Sequence, residues 1–108
     1  MNLDFFKKIR ILDGGMGQEL LKRGMKPIGT LWSASALIDE KNHKLLFDTH
    51  VDFIKAGAEV IVTTTFASRR IRLIENNCEK KFEYINKKAG EIAKKTKDQF
   101  PHVLIAGG

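Results

Sequence analysis

The sequence predicts an α/β fold in which short parallel strands alternate with helices in the order β-α-β-α-β. Three observations predict it. A short apolar run, Ile9-Arg10-Ile11-Leu12, ends in an acid and two glycines, Asp13-Gly14-Gly15. A β-branched run, Val60-Ile61-Val62-Thr63-Thr64, has almost no polar interruption before its threonines, as strands buried on both faces do. The intervening stretches carry apolar residues at helical spacing, and strands alternating with helices imply a parallel sheet with right-handed crossovers.

The first strand covers residues 10–12. A short helix over residues 17–23 follows, with Leu20 and Leu21 inward and Gly24 as its left-handed stop. Residues 26–30 are loop. Leu31-Trp32-Ser33-Ala34-Ser35-Ala36-Leu37 sets a tryptophan among small residues, and Ser33 is placed to cap one helical turn. Asp39 caps a long helix over residues 40–56, whose apolar face is Leu46, Phe47, Val51, Phe53 and Ile54, and Gly57 ends it. After the second strand, Ser68 caps a short helix that stops near Asn76-Asn77. The last helix spans residues 79–99. Its stripe of Phe82, Ile85, Ala89, Ile92 and Thr96 covers under three heptads, so it reads as a face packed on the sheet and not as a coiled coil. Glu83–Lys87 and Glu91–Lys95 stand at helix-supporting i,i+4 spacing. Pro101 closes this helix, and residues 103–106 form the third strand.

Composition sets bounds on function. With 108 residues and 43% hydrophobic content, the chain is of one-domain size and globular. No apolar run approaches the roughly 18 residues of a membrane span, and the N-terminus lacks the apolar core of a secretory signal. A single cysteine, Cys78, excludes an internal disulfide and suits a reducing cytoplasm, the expected location. The net charge of +6 sits in two regions: residues 1–30 carry six bases and three acids, and residues 79–98 carry seven lysines and four acids. Aromatics and arginines are not interleaved with those lysines as a nucleic-acid surface needs. The lysines read as a solvated helix face, with a small basic nucleotide- or nucleic-acid-binding module as the alternative reading.

Parallel strands place their C-terminal ends on one side of a sheet. Asp13-Gly14-Gly15, Thr63-Thr64-Thr65 and Gly107-Gly108 therefore converge, as ligand-binding residues do in α/β folds. A carboxylate there can hold an ammonium group, and hydroxyls or backbone N–H groups can hold a carboxylate, so a small amino acid suits the rim. Each feature also has a plain structural reading. Asp13 is equally a favoured helix cap, the glycines allow a tight turn, the threonines are strand formers, and Trp32 is either core or pocket wall. Gly14-Gly15-Met16-Gly17 lacks the spacing of a phosphate loop. His43 and His50 read as helix-surface residues, since a zinc site needs three or four convergent ligands.

The pieces Ile11-Leu12-Asp13-Gly14-Gly15-Met16-Gly17-Gln18-Glu19-Leu20, Leu31-Trp32-Ser33-Ala34, Ala56-Gly57-Ala58-Glu59-Val60-Ile61-Val62-Thr63-Thr64-Thr65-Phe66 and Ile105-Ala106-Gly107-Gly108 together resemble the homocysteine S-methyltransferase family. The Leu-Trp-Ser-Ala segment is similar to the stand-alone enzymes that use S-methylmethionine or a related donor such as betaine. The resemblance implies a (β/α)8 TIM barrel and methyl transfer to homocysteine to give methionine. It implies that Asp13, Gly14 and Thr65 line the homocysteine pocket and that Trp32 shapes the donor side; Gly15 and Thr64, beside them at the rim, complete the candidate substrate-binding set. It also implies a zinc ion held by three cysteines, which this chain lacks. A barrel of this kind takes about 250 residues. Residues 1–108 are accordingly expected to be the amino-terminal part of such a domain and inactive alone. Expected partners are homocysteine, a small methyl donor, and the remainder of the barrel or a second copy.

Overall fold

The computed structural model describes residues 3–107. Gly108, placed by the sequence at the rim, lies outside the described residues. In chain order the elements are α1 (Met16–Lys22), α2 (Ser35–Ile38), α3 (His43–Lys55), β1 (Val60–Val62), α4 (Arg70–Glu75), α5 (Phe82–Gln99) and β2 (Leu104–Ala106). Single 3-10 turns precede α2, α3 and α5.

The sheet is α/β in type but smaller than the sequence predicts. β1 and β2 pair in parallel, with Val60 opposite Leu104, Ile61 opposite Ile105 and Val62 opposite Ala106. The predicted first strand is reduced to one parallel bridge, Leu12 to Val60. It is secured by Asp13 N donating to Val60 O (3.1 Å) and Glu59 N donating to Ile11 O (2.7 Å). β1 lies in the middle, because Val60 bonds toward residues 11–13 while Thr63 N donates to Ala106 O on the other side. Thr63 and Thr64 fall outside β1, since a turn closed by Thr65 N on Thr63 O (2.9 Å) bends the chain away.

The helices follow the sequence closely. Asp39 Oδ1 accepts from Lys41 N (3.1 Å) and opens the turn that leads into α3. Gly57 (φ +119°) ends α3 with Ala58 N on Phe53 O, a left-handed stop that only glycine takes without strain. Leu20, Leu31, Leu37, Leu46, Leu73, Ile85 and Ala89 form the main core between the helices. Ile54, Ala58, Ile61 and Val103 form a second, smaller core on the sheet. Ile85, Ala89, Ile92 and Thr96 of α5 are buried as the stripe predicts, with Phe82 at its margin.

Several local expectations fail for identifiable reasons. Leu21 is exposed: α1 has two turns, and the residue after Leu20 points about 100° away from it. Ser33 caps nothing, because the Trp32–Ala34 turn opens on Leu31 without a side-chain bond. Ser68 is buried with its hydroxyl 2.7 Å from Asn86 Oδ1, and α4 opens on Arg69. Glu91 pairs with Lys88 at i,i+3 (2.9 Å), while the Lys95 ammonium lies 5.0 Å from the centre of the Phe47 ring. Glu83 and Lys87 make no ion pair among the described residues. His50 is fully buried on the inner side of α3, not at its surface.

Candidate functional site

The strand ends do meet at one rim. Asp13 sits at the C-terminal end of β1, with its Oδ2 accepting from Val62 N at 3.1 Å. This bond answers the cap question: α1 opens on Gly15 with no side-chain cap, so Asp13 reaches across to the strand instead. On the other side of β1, Thr63 N on Ala106 O (2.8 Å) brings the end of β2 to the same level.

A cavity of about 550 Å³ opens at this rim, and Asp13, Gly14, Trp32, Thr64, Met16 and Phe66 are among its lining residues. Gly14 is needed for its size, because a Cβ there would lie 2.8 Å from Phe53 Cε1. Trp32 is half exposed and takes φ +49°, a left-handed backbone that non-glycine residues rarely adopt. Its ring covers Gly17, where a Cβ would meet Trp32 Cε3 at 3.3 Å. Of its two readings, core and pocket wall, Trp32 takes the second position.

Two polar groups give the cavity its chemistry. Burial pushes the Asp13 carboxyl above its ordinary pKa, and the N–H groups of Val62 and of Asp13 itself pull it part of the way back. Thr64 is 4% exposed, and its Oγ1 has no hydrogen-bond partner among the described residues. A buried hydroxyl left unpaired costs stability, and the residue that carries it stands in the cavity wall.

The remaining candidates stand near the cavity without lining it. Gly15 is exposed at the start of α1. Thr65 has its Oγ1 3.0 Å from Thr63 Oγ1, and its carbonyl accepts from Ser68 N. Asn86 of α5 secures that loop from outside, donating through Nδ2 to Ser68 O (3.2 Å). Phe66, exposed and also lining the cavity, is not among the rim residues the sequence singles out, since a phenylalanine after polar threonines carries no signal of its own for ligand binding.

Among the described residues no lysine or arginine lines the cavity, and five lysines of the α5 region, Lys80, Lys81, Lys87, Lys94 and Lys95, are exposed. Among the described residues no group of three or more His, Cys, Asp or Glu is placed to hold a metal ion. Cys78 is half-buried with its thiol 3.2 Å from Asn76 O. Among the described residues no helix is long and apolar enough to cross a membrane.

Comparison with known proteins gives a consistent result. A family model described as Homocysteine S-methyltransferase matches residues 10–108. Homocysteine S-methyltransferase 2 of Saccharomyces cerevisiae is 37% identical over 78 residues, covering 65% of this chain and 24% of the relative. Homocysteine S-methyltransferase 1 of Arabidopsis thaliana is 31% identical over 97 residues, covering 83% of this chain and 27% of the relative. An S-methylmethionine–homocysteine S-methyltransferase of Rattus norvegicus is 33% identical over 96 residues, covering 89% of this chain and 24% of the relative. The chain thus spans about a quarter of the length of these relatives. No solved structure matches it.

Proposed function

The chain belongs to the homocysteine S-methyltransferase family, and we propose on that premise that the protein it forms part of methylates the sulfur of homocysteine to give methionine. The chain supplies the homocysteine-binding, amino-terminal part of a (β/α)8 barrel, and the whole protein works in the cytoplasm. One observation carries this reading. A half-buried carboxylate, Asp13, and Thr64, whose buried hydroxyl lacks a partner among the described residues, line one cavity at the C-terminal ends of parallel strands. Ligands of barrel enzymes bind at that end.

Each residue then has a task. Asp13 holds the substrate ammonium, and a cation at that position would oppose the upward push of burial on its carboxyl. The Thr64 hydroxyl donates to the substrate carboxylate and gains the bond it lacks. Gly14 allows the substrate to approach the backbone, and Gly15 and Thr65 shape the turns on either side. Trp32 offers a ring face to a cationic donor, as tryptophan does to onium groups. The rat relative is named for S-methylmethionine, a sulfonium donor. With such a donor, a lone pair on the homocysteine sulfur forms the new S–CH3 bond. The donor's C–S+ bond breaks, a neutral thioether leaves, and the thiol proton is lost.

The zinc that the resemblance implies does not fit these residues. The chain has one cysteine, committed to a backbone carbonyl in a helical connection. No step is therefore assigned to a metal held by this chain.

The test is methionine formation by the longer protein from homocysteine and S-methylmethionine. Asp13→Ala is expected to lower kcat/KM at least about tenfold, equivalent to about 1.4 kcal/mol of transition-state binding. No methionine from the unaltered protein with sulfonium or betaine donors contradicts the reading.

A further inference from the structure

We propose that Asn76, at the end of α4, is a positioning residue that holds Trp32 in the cavity wall, an inference that rests on reading this cavity as the substrate site. Asn76 lies outside the cavity and outside every motif singled out in the sequence. Its carboxamide grips one residue of the loop before Trp32 with both ends. Oδ1 accepts from Thr30 N at 3.1 Å, and Nδ2 donates to Thr30 Oγ1 at 2.9 Å. Nδ2 also donates to Arg72 O at 2.9 Å, which fixes the amide against its own helix. Donor and acceptor are both used, so the amide has one orientation, and neither aspartate nor leucine reproduces it.

The loop it grips is under backbone strain. Gly29 takes φ +50° and Trp32 takes φ +49°, two left-handed residues within four. A side chain at Gly29 would place its Cβ 1.9 Å from Asn76 Oδ1, so any other residue there would have to push the Asn76 carboxamide off Thr30. Other ties fix the rest of the loop: Ile28 N donates to Ser35 Oγ at 2.9 Å, and Leu31 is fully buried. A bulky residue persists in the left-handed region only where its surroundings over-determine it. Between the Ile28–Ser35 bond and the buried Leu31, the Asn76–Thr30 pair supplies the tie from another element. Trp32 is then turned out of the core and over Gly17, in the wall of the cavity that Asp13 and Thr64 also line.

Trp32 is the only tryptophan of the chain, so its fluorescence reads its own position without any substrate. In the 108-residue chain, Asn76→Ala is expected to lower Trp32 anisotropy and raise its quenching by acrylamide, with the helical circular dichroism unchanged. Thr30→Val, which keeps the N–H and loses the hydroxyl, moves both signals the same way by less, and Thr30→Ser restores them. Asn77→Gly, at the same helix end but without a bond to the loop, leaves both unchanged. If Asn76→Ala loses its helical signal, Thr30→Val decides the matter alone. An unmoved Trp32 signal in folded Asn76→Ala or in Thr30→Val overturns the proposal, as does an equal response to Asn77→Gly. A Trp32 signal that moves while kcat and KM of the longer protein stay the same leaves the positioning intact and removes the substrate reading of the cavity.

Discussion

Leu46 on α3 and Leu12 beside β1 are the same side chain in two settings. Leu46 is fully buried among Leu20, Leu37 and Ile85, whereas Leu12 is 60% exposed. The contrast extends to their neighbours. The inward faces of α3 and α5 are buried or half-buried, although Ile71 and Ile74 of α4 are exposed, while beside the sheet Ile9 is 96% and Ile11 56% exposed and all of β2 is half-buried. A helix satisfies its own backbone and needs one apolar neighbour. A strand in a parallel sheet needs partners at both edges and cover on both faces. The inward faces of α3 and α5 find those neighbours within these 108 residues. The sheet, as described, does not, which agrees with the proposal that further strands complete it.

Truncations in the two layers should therefore differ sharply. The largest loss is expected for Leu46→Ala, about 2–5 kcal/mol by denaturant unfolding of the chain. A loss below about 1 kcal/mol would mean that the helical layer is not packed as described.

Next is an acid effect from His50, fully buried with neither ring nitrogen hydrogen-bonded among the described residues. Burial lowers its pKa from 6.5 to about 4. The unfolded chain takes up this proton near pH 6.5 and the folded chain only near pH 4, so the contribution is complete above pH 6.5 and is lost as pH falls. The full loss is about 3 kcal/mol. Stability measured from pH 7 to pH 4 should fall, and His50→Leu should flatten that limb.

Gly14→Ala comes third. Its Cβ must displace the Phe53 ring, and overpacking of this kind costs about 1–3 kcal/mol. The smallest effect is expected for Leu12→Ala in this chain, within about 0.5 kcal/mol of zero. In a longer protein whose strands cover Leu12, the same substitution should cost as much as a core truncation, which makes it the sharpest comparison between the two forms.

This contrast also explains what was legible in the sequence. The stripe of Ile85, Ala89, Ile92 and Thr96, the Asp39 cap and the Gly24 and Gly57 stops depend on contacts within a few residues, and all are where the pattern puts them. The strands were overextended at residues 10–12 and 60–64, because apolar content marks a strand while its length is set by partners elsewhere in the chain. The rim was legible in outline: Asp13, Gly14, Trp32 and Thr64 do share a cavity. Three successive threonines look alike in sequence, and only the turn at Thr63–Thr65 decides which one is buried facing it. Asn76 and Asn86 gave no signal, since a tie between residues 46 or 18 positions apart leaves no local pattern. His50 stands one turn from both Leu46 and Ile54 on the buried face of α3, but a histidine reads as polar, so residue type points outward where the i,i+4 spacing places it inside.

Thr64→Val in the longer protein separates a ligand site from an accident of packing. The change removes only the unpaired hydroxyl and keeps the shape. A hydroxyl that serves homocysteine predicts a KM for homocysteine raised about tenfold, with stability unchanged or slightly increased. An unchanged homocysteine KM in a variant of equal or greater stability would contradict the claim that Thr64 and Asp13 face one amino-acid substrate.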